Sequence, residues 1–314
     1  MTTRPPVLHV LLAFAGIYLI WGTTFLAIAL VIRTLPPFVS GGIRFLIAGA
    51  LMYAWLRSRE PHPFAGLRVG GSILCGVLLT GMGNGLVVWS QQGLPSGIAA
   101  LFVGAMPVSI LVLDWVFFSR RTPALQAVIG VAIGLLGVVI LSTHTRSLSG
   151  AVRPIHVIAV LTAELAWSVG TLLQRRYVPA QRVINFTCLQ MLVGGVFQSI
   201  LALIDHEWPG FDPARISLQS VLALMYLVVF GSLIAVNCYS WLIAHVAPQK
   251  VTTYALVNPV IALALGALLL GERITPAAAL STALVLLGVG LVLFQRPRAP
   301  SVSRHGCRER PGLV

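Results

Sequence analysis

Residues 241–294 read WLIAHVAPQKVTTYALVNPVIALALGALLLGERITPAAALSTALVLLGVGLVLF. The stretch consists of two apolar segments of bilayer-spanning length, separated by the short charged turn Gly271-Glu272-Arg273. Residues 89–141 follow the same plan, and their charged turn, Ser119-Arg120-Arg121, precedes the later turn by 152 residues. The chain therefore repeats its membrane segments, and the unit that repeats decides the fold.

Single residues keep the same spacing as the two turns. Trp89 lies 152 residues before Trp241, and Pro107 lies 152 residues before Pro259. A self-similarity at a fixed distance indicates a duplicated structural unit rather than two unrelated apolar stretches.

Composition restricts the class of protein. The chain has 314 residues, of which 57% are hydrophobic and 9% charged, and its mean hydropathy is +0.93. Soluble domains carry about 25% charged residues, so a polytopic membrane protein is indicated. The net charge of +13 comes from basic residues clustered between apolar segments. We interpret these clusters as topology signals, with no nucleic acid as a partner.

About 20 apolar residues are needed to cross the hydrocarbon core of a bilayer. By this measure the sequence predicts an all-α membrane protein with ten transmembrane helices. The predicted spans are 8–32, 38–57, 69–90, 95–118, 124–142, 155–175, 183–204, 217–240, 248–270 and 276–294. They form a first repeat, 8–142, and a second repeat, 155–295, followed by a basic tail, 296–314, that we expect to be disordered in the cytoplasm.

Charge placement predicts the orientation. With the N-terminus in the cytoplasm, 15 of the 21 Lys and Arg residues fall in inner segments, 5 in outer segments and Arg44 within a span. This bias predicts that both termini are cytoplasmic in a multi-pass protein of the inner membrane. Trp21 precedes Trp167 by 146 residues, so the first five spans repeat as the last five. Because five is odd, the two repeats are predicted to be inverted, with a shared site near the midplane.

Enzymatic chemistry is not indicated. The sequence contains neither an HExxH nor a CxxC motif, and each histidine lies near the end of a predicted span. An intramembrane enzyme needs a metal cluster or a nucleophile–base pair inside the bundle. We therefore expect no catalytic residue, no metal and no cofactor.

Two segments resemble a known family. The opening run YLIWGTTFLAIALVIRTLPPFVSGGIRFLIAG, residues 18–49, and the closing run NPVIALALGALLLGERITPAAALSTALVLLGVGLVL, residues 258–293, resemble EamA-domain proteins of the drug/metabolite transporter superfamily. The resemblance extends over about residues 8–295. It implies a ten-helix bundle with a central cavity, often an exporter of metabolites or amino acids. The first half departs from the family's Gly-Glu-Arg/Lys turn, because Ser119-Arg120-Arg121 lacks the acid.

Three ionisable residues lie within predicted spans, where a charge costs about 2.5–3.5 kcal/mol to insert. Arg44 and Glu164 lie about 9 Å and 13 Å from the outer ends of their spans, counted at about 1.5 Å per residue. Similar depths allow a pair, in which Arg44 binds a substrate carboxylate and Glu164 takes a proton. Alternatively, Arg44 extends to the interface or supports its helix. For Asp114 a local ion pair with Arg120 or Arg121 is the preferred interpretation.

Polar and bending residues add candidates. Pro107 and Pro259 are predicted hinge or kink positions, since a proline within a helix frees a backbone carbonyl. Asn258 adds an amide beside Pro259, and Asn84 and Asn237 are similar polar candidates in the third and eighth spans. Packing between helices is the alternative role for each of them.

Aromatic residues complete the predicted site. Trp21 and Trp167 are repeat-related and deep in their spans, where an indole can stack on a planar or cationic substrate. Tyr18 and Tyr254 are grouped with them. The other repeat-related pair of tryptophans lies near span ends, which suits anchoring at the membrane interface.

These features favour a secondary transporter that exports small metabolites, such as amino acids, by alternating access. Coupling to protons is a hypothesis motivated by Glu164. The expected partners are a small-molecule substrate, the lipid bilayer and protons, and the chain is expected to be a monomer or a homodimer. The alternatives are a flippase-type carrier of a lipid-linked or nucleotide sugar and a non-transporting membrane sensor.

Overall fold

The computed structural model describes residues 5–94, 96–144, 153–209, 211–261 and 276–294, and no residue in these ranges belongs to a β-strand. The helices are α1 (Val7–Val31), α2 (Pro37–Arg57), α3 (Val69–Ser90), α4 (Ser96–Val103), α5 (Met106–Phe118), α6 (Leu125–His144), α7 (Pro154–Tyr177), α8 (Val183–Ile204), α9 (Leu218–His245), α10 (Pro248–Val251), α11 (254–261) and α12 (Pro276–Leu293). The turn Gly271-Glu272-Arg273 and the tail 296–314 lie outside these ranges.

Six of the described helices are long and apolar enough to cross a membrane, namely α1, α2, α3, α7, α8 and α9. Shorter apolar helical stretches occupy Met106–Phe118, Leu125–Ile140 and Ala279–Leu293. Large apolar side chains such as Leu19 and Leu136 are more than half exposed on the outside of the bundle. An apolar outer surface is what contact with lipid requires.

Two predicted spans are not continuous helices. The predicted span 95–118 is split into α4 and α5, and 248–270 begins with the short α10, a turn at Thr252 and Thr253, and then α11. Pro107 explains the first break, because a proline lacks an N–H donor and clashes with the preceding turn of a continuous helix. Here it occupies the first turn of α5, where no intrahelical donor is needed.

Helices α3 and α9 each contain a π-helical segment, Gly76–Gly83 in α3 and Leu227–Ile234 in α9. The two segments have the same length and lie 151 residues apart. The helix contacts also correspond between the two predicted repeats. Helix α1 packs against α9, α7 packs against α3 in the corresponding way, and α2 packs against its counterpart α8. Wider turns of this kind are rare in helices and occur mostly at functional sites.

Glycines allow α2 and α8 to approach closely. A Cβ atom at Gly41 would lie 1.8 Å from Oε1 of Gln198, and one at Gly49 would lie 2.7 Å from Cδ2 of Leu192. From the other side, a Cβ at Gly195 would meet the side chain and backbone of Leu46 at 2.8 Å. Small residues at such contacts maximise van der Waals packing between helices in lipid.

Each end of the α2–α8 pair is closed by a glutamate from the opposite half. Glu207, just after α8, accepts hydrogen bonds from the backbone N–H groups of Phe38 and Val39 at 3.2 and 2.8 Å. These are free donors in the first turn of α2. Burial raises the pKa of Glu207, the two N–H bonds lower it, and the nearby Asp205 raises it, with a net upward shift.

Glu60, just after α2, makes the corresponding contact at the start of α8. Its Oε2 lies 2.7 Å from Nη2 of Arg182, and its Oε1 accepts a hydrogen bond from the amide of Asn185. Glu60 and Glu207 are 147 residues apart, close to the repeat spacing. We call these two contacts the crossed glutamate contacts.

Helices α6 and α12 pack backbone against backbone. A Cβ atom at Gly288 would lie 2.4 Å from the carbonyl oxygen of Gly130 and 2.6 Å from the backbone nitrogen of Gly134. At Gly137 the nearest atom to an added Cβ is the carbonyl oxygen of Ser281, at 2.8 Å. The two backbones are therefore in direct contact, and Gly130 and Gly134 are packing residues.

Candidate functional site

A cavity of about 70 Å³, counted as the space open to the centre of a water molecule, lies between α1, α2, α3, α4, α5, α7, α9 and α11. Seven of the nine substrate-site residues predicted from the sequence line it: Trp21, Arg44, Asn84, Glu164, Trp167, Tyr254 and Asn258. They come from both predicted repeats and from five different helices. Apolar side chains such as Phe25, Val87 and Met106 form much of the remaining wall.

Arg44 is held by a helix of the other half. Its side chain is 3% exposed, and its Nε donates a hydrogen bond to Oγ of Ser232 at 2.8 Å. Cζ of Arg44 also lies 4.8 Å from the centre of the Phe45 ring. Across the described ranges, the ion pairs within 4.0 Å are Arg182 with Glu60 and Arg215 with Asp212. Arg44 is therefore a buried cation with no carboxylate partner among the described residues.

Glu164 is hydrogen-bonded by hydroxyl groups instead. Its Oε2 accepts from Ser109 of α5 at 3.1 Å, and its Oε1 accepts from Ser168 of α7 at 2.9 Å. The depths of Arg44 and Glu164 in the sequence allow a pair, and the structure has no ion pair between them within 4.0 Å. The two side chains face one cavity but lie more than 4.0 Å apart. The cavity thus presents one cationic and one carboxyl group to a ligand.

Four aromatic rings pack together beside the charged groups. Trp21 contacts Trp167, Tyr239 and Tyr254 with ring centres 5.6, 5.2 and 4.6 Å apart. Nε1 of Trp167 donates to Oη of Tyr239 at 3.1 Å, and Tyr239 also shares a hydrogen bond with Thr171. We call these four rings the aromatic layer; Trp21, Trp167 and Tyr254 line the cavity, and Tyr239 packs against them.

Sequence reasoning did not identify Tyr239, Ser232 or Ser109. Ser232, Val236 and Tyr239 are spaced four and three residues apart in α9, so they share one face of the helix. All three are buried, and Val236 lines the cavity. This polar and aromatic spacing was the available signal for Ser232 and Tyr239. Ser109 had none, since a serine two residues after Pro107 suits any helix.

The asparagines divide into two groups. Asn84 and Asn258 line the cavity, and the Oδ1 atom of each is buried without a hydrogen-bond partner. Such an atom costs free energy unless a ligand or water satisfies it. Asn237 does not line the cavity; its Nδ2 donates to the carbonyl of Leu233 at 2.8 Å, and its Oδ1 is likewise buried without a partner. Asn84 and Asn258 are therefore the candidates for ligand contact because of their position at the cavity.

Tyr18 also lies outside the cavity lining. Its hydroxyl shares a hydrogen bond of 2.6 Å with Oγ1 of Thr253, in the turn between α10 and α11. Pro259 lies in α11 next to Asn258, and Pro107 lies in the first turn of α5. Tyr18 thus joins the first half to the second outside the cavity lining.

The cavity continues towards the C-terminal end of α1 and the N-terminal end of α2. A smaller cavity of about 10 Å³ shares Arg44 and Asn84 with the first and extends to Val31, Ser40 and Gly41, all of which are buried. In the opposite direction the site meets the aromatic layer, and Tyr18 contacts Thr253 outside the cavity lining. The site therefore lies between a small buried cavity and the aromatic layer.

Asp114 does not behave as expected from the sequence. Its Oδ2 accepts hydrogen bonds from Ser119 at 3.0 Å and from Gln249 of α10 at 2.8 Å. Neither Arg120 nor Arg121 lies within ion-pair distance of it. The backbone at Arg120 adopts a positive φ of 52°. Asp114 therefore connects α5 to α10, and its predicted pairing with the neighbouring arginines is wrong.

Residues 8–143 and 154–294 each match the EamA-like transporter family. The "Uncharacterized inner membrane transporter YedA" of Escherichia coli K12 is 37% identical to this chain over 292 residues, which cover 92% of each protein. "Protein PagO" of Salmonella typhimurium is 26% identical, over 94% of this chain and 95% of its own length. The "Probable amino-acid metabolite efflux pump" of Escherichia coli K12 is 24% identical, over 88% and 92%.

The fold is shared with a protein of known structure. A crystal structure superposes on this chain with a TM-score of 0.72 at 21% identity, covering 92% of this chain and 96% of the other. The resemblance to EamA-domain proteins deduced from the two sequence runs is therefore confirmed. With the matched segments and the long apolar helices together, the chain is a multi-pass membrane protein that belongs to the EamA-like transporter family.

Proposed function

We propose that the chain is a secondary transporter that exports amino acids or related small metabolites across the inner membrane by alternating access. The observation that carries the proposal is the buried Arg44, which lines a cavity and has no carboxylate partner among the described residues. A buried charge without a partner is strongly unfavourable, so a ligand carboxylate is its natural partner. A relative named as a probable amino-acid metabolite efflux pump agrees with this chemistry.

The rest of the cavity suits the other parts of such a substrate. Glu164 accepts hydrogen bonds, and Oδ1 of Asn84 and Asn258 is free to do so. An α-ammonium group has three N–H donors for these acceptors. The apolar wall that includes Phe25 and Met106 offers space for an apolar side chain. The proposed substrate class is therefore a zwitterion with an apolar side chain.

The proposed architecture is ten helices in two inverted repeats, 8–142 and 155–295. The equal spacing of the two π-helical segments supports it, as do the α1–α9 and α3–α7 pairings, which exchange under such a symmetry. The charge bias of the loops supports cytoplasmic termini, with the tail 296–314 inside. With this orientation, the smaller cavity next to Val31 and Ser40 lies on the outer side of the site, and the aromatic layer lies on its cytoplasmic side.

Vesicle transport tests the proposal. Inverted membrane vesicles with the protein, and vesicles without it, are given radiolabelled L-leucine or L-phenylalanine, with a nucleotide sugar as the competing substrate class. We expect protein-dependent accumulation of an amino acid, abolished in Arg44→Gln and retained in the control Arg33→Gln, whose arginine is exposed outside the cavity. Accumulation of the nucleotide sugar alone would refute the amino-acid assignment.

Proton coupling through Glu164 is tested in the same vesicles. We expect a pH gradient to drive accumulation in the wild type and not in Glu164→Gln, while exchange of labelled for unlabelled substrate continues in both. The reason is that glutamine keeps the hydrogen-bonding shape near Ser109 and Ser168 but cannot carry a proton. Normal gradient-driven accumulation by Glu164→Gln would exclude this residue as the proton carrier.

A further inference from the structure

Two adjacent residues of α9 hold two cavity side chains. Oγ of Ser232 accepts the hydrogen bond from Nε of Arg44, and the carbonyl oxygen of Gly231 accepts one from Nε1 of Trp21 at 3.3 Å. Both residues lie in the π-helical segment Leu227–Ile234. Ser232 is fully buried, so its hydroxyl has no solvent partner in place of Arg44.

The geometry fixes which edge of the guanidinium is free to bind a ligand. A Cβ atom added at Gly231 would lie 2.9 Å from Nη2 of Arg44, so this group lies directly over the glycine. The edge formed by Nε and Nη2 is therefore held against α9. Because the guanidinium is planar and its five donors form a rigid fork, Nη1 and the end of the fork must face away from α9. That part of the fork remains for a ligand.

The other half of the chain lacks this contact. At the repeat spacing of 146 residues, Gln190 corresponds to Arg44. At the spacing of 151 residues between the π-helical segments, Gly81 corresponds to Ser232. A glycine offers no side-chain acceptor, yet α3 forms a π-helical segment around Gly81. The fold therefore does not require a serine at this position, and the contact serves Arg44.

We propose that Ser232 and Gly231 are positioning residues for Arg44, and that they set the preference of the cavity for carboxylated ligands over matched ligands without a carboxylate. Ser232 fixes the plane of the guanidinium through Nε, and Gly231 leaves the space in which Nη2 lies. The free end of the fork is then ready to donate two parallel hydrogen bonds to a carboxylate. The inference rests on the proposed function, since it assumes that the cavity binds such a ligand.

Binding to purified protein tests the preference. The probes are L-phenylalanine and L-phenylalaninamide, which differ only at the carboxyl group, with L-leucine and L-leucinamide as a second pair. Affinity is measured for the wild type, Ser232→Ala, Ser232→Thr and Ser240→Ala. Ser240 is a matched control, because it is a fully buried serine in the same helix whose hydroxyl has no hydrogen-bond partner.

We expect Ser232→Ala to weaken binding of the amino acids about tenfold, the usual effect of losing a hydrogen bond to a charged group. Binding of the amides should not change. Ser232→Thr should restore the preference because it keeps the acceptor, and Ser240→Ala should match the wild type. An equal loss for acid and amide in Ser232→Ala would indicate a purely structural role and overturn the proposal, as would an unchanged affinity for the acids.

A second measurement needs no substrate. Phenylglyoxal condenses with the two Nη groups of arginine, and peptide mass mapping gives its rate at Arg44, with the exposed Arg33 as an internal reference. We expect faster modification in Ser232→Ala, because the Nε–Nη2 edge is released from α9, and wild-type rates in Ser232→Thr and Ser240→Ala. The same rate in all four proteins would overturn the proposal.

The two measurements separate the two proposals. If neither probe pair binds the wild type but Ser232→Ala accelerates the reaction at Arg44, the amino-acid function fails and the positioning of Arg44 stands. If the amino acids bind and the reaction rate does not respond to Ser232→Ala, the function stands and the positioning role fails.

Discussion

Replacing Gly288 by alanine should destabilise the protein by forcing α6 and α12 apart. The added Cβ would lie 2.4 Å from the carbonyl oxygen of Gly130 and 2.8 Å from Cα of Gly134. Carbon–oxygen contacts between neighbouring helices are normally about 3.3–3.6 Å, so the helices must separate by about 1 Å. Both obstacles are backbone atoms, which cannot move away as a flexible side chain can.

The separation affects the whole helix pair. Gly137 lies against Ser281, and Gly130 lies against Val292, so these contacts lengthen together. A gap of about 1 Å forfeits up to half of the dispersion energy of each contact. Overpacking of this kind costs about 1–3 kcal/mol. For a chain of this size, we expect a decrease in melting temperature of about 2–8 °C.

Gly290 provides the control on the same helix. No atom lies within 4 Å of a Cβ added there, so Gly290→Ala changes the helix propensity without a steric clash. Alanine is favoured over glycine in a helix by about 0.5–1 kcal/mol, and the variant should melt at or slightly above the wild-type temperature. Both variants are purified in one detergent and melted by differential scanning fluorimetry. Melting temperatures of Gly288→Ala and Gly290→Ala within 1 °C of each other would refute the proposed backbone contact between α6 and α12.

Three further predictions concern residues outside the cavity. Because burial raises the pKa of Glu207, its protonated form is favoured in the folded state, and its contribution to stability falls as the pH rises through the raised pKa. The melting temperature of Glu207→Gln relative to the wild type should therefore increase between pH 4 and pH 7, and a difference independent of pH would contradict this. Glu60→Ala should lower the melting temperature, because it removes the contacts to Arg182 and Asn185, which contribute up to about 1 kcal/mol for a partly exposed pair. Glu60→Gln should lower the melting temperature less, because an amide keeps part of these contacts. Cys75 and Cys188 are fully buried, so N-ethylmaleimide should modify them only after denaturation in sodium dodecyl sulfate, as measured by peptide mass mapping. Rapid labelling of either cysteine in the folded protein would contradict its position.

The sequence predicted the long helices well, because each is a continuous apolar run bounded by proline or charge. The start of α2 at Pro37 and its end at Arg57 are examples. The break between α4 and α5 was not predicted, since hydropathy does not distinguish a straight helix from an interrupted one. Pro107 indicated a bend, but whether the chain bends or breaks depends on how neighbouring helices satisfy the freed backbone groups.

The sequence predicted most of the residues that line the candidate site, but not the contacts that these residues make. Arg44 and Glu164 were conspicuous because charged residues are rare within apolar spans. Their separate partners, Ser232 and Ser109, are ordinary residues in apolar helices, and only the packing of α2 on α9 and of α5 on α7 makes them significant. Tyr239 was missed for the same reason, since its hydrogen bonds to Trp167 and Thr171 depend on the packing of α7 against α9.

The crossed glutamate contacts have a consequence for how the chain is made. The N–H group of Val39 has its acceptor 168 residues further along the chain, so the ribosome must synthesise α3 to α8 before the start of α2 is complete. In the reverse direction, Arg182 meets a carboxylate that was translated long before it. A nascent chain that ends at residue 200 lacks Glu207 and cannot form its contact with Val39. The same chain already contains both Glu60 and Arg182. Biogenesis of the two halves is thus interdependent, and neither is finished until the other has been inserted.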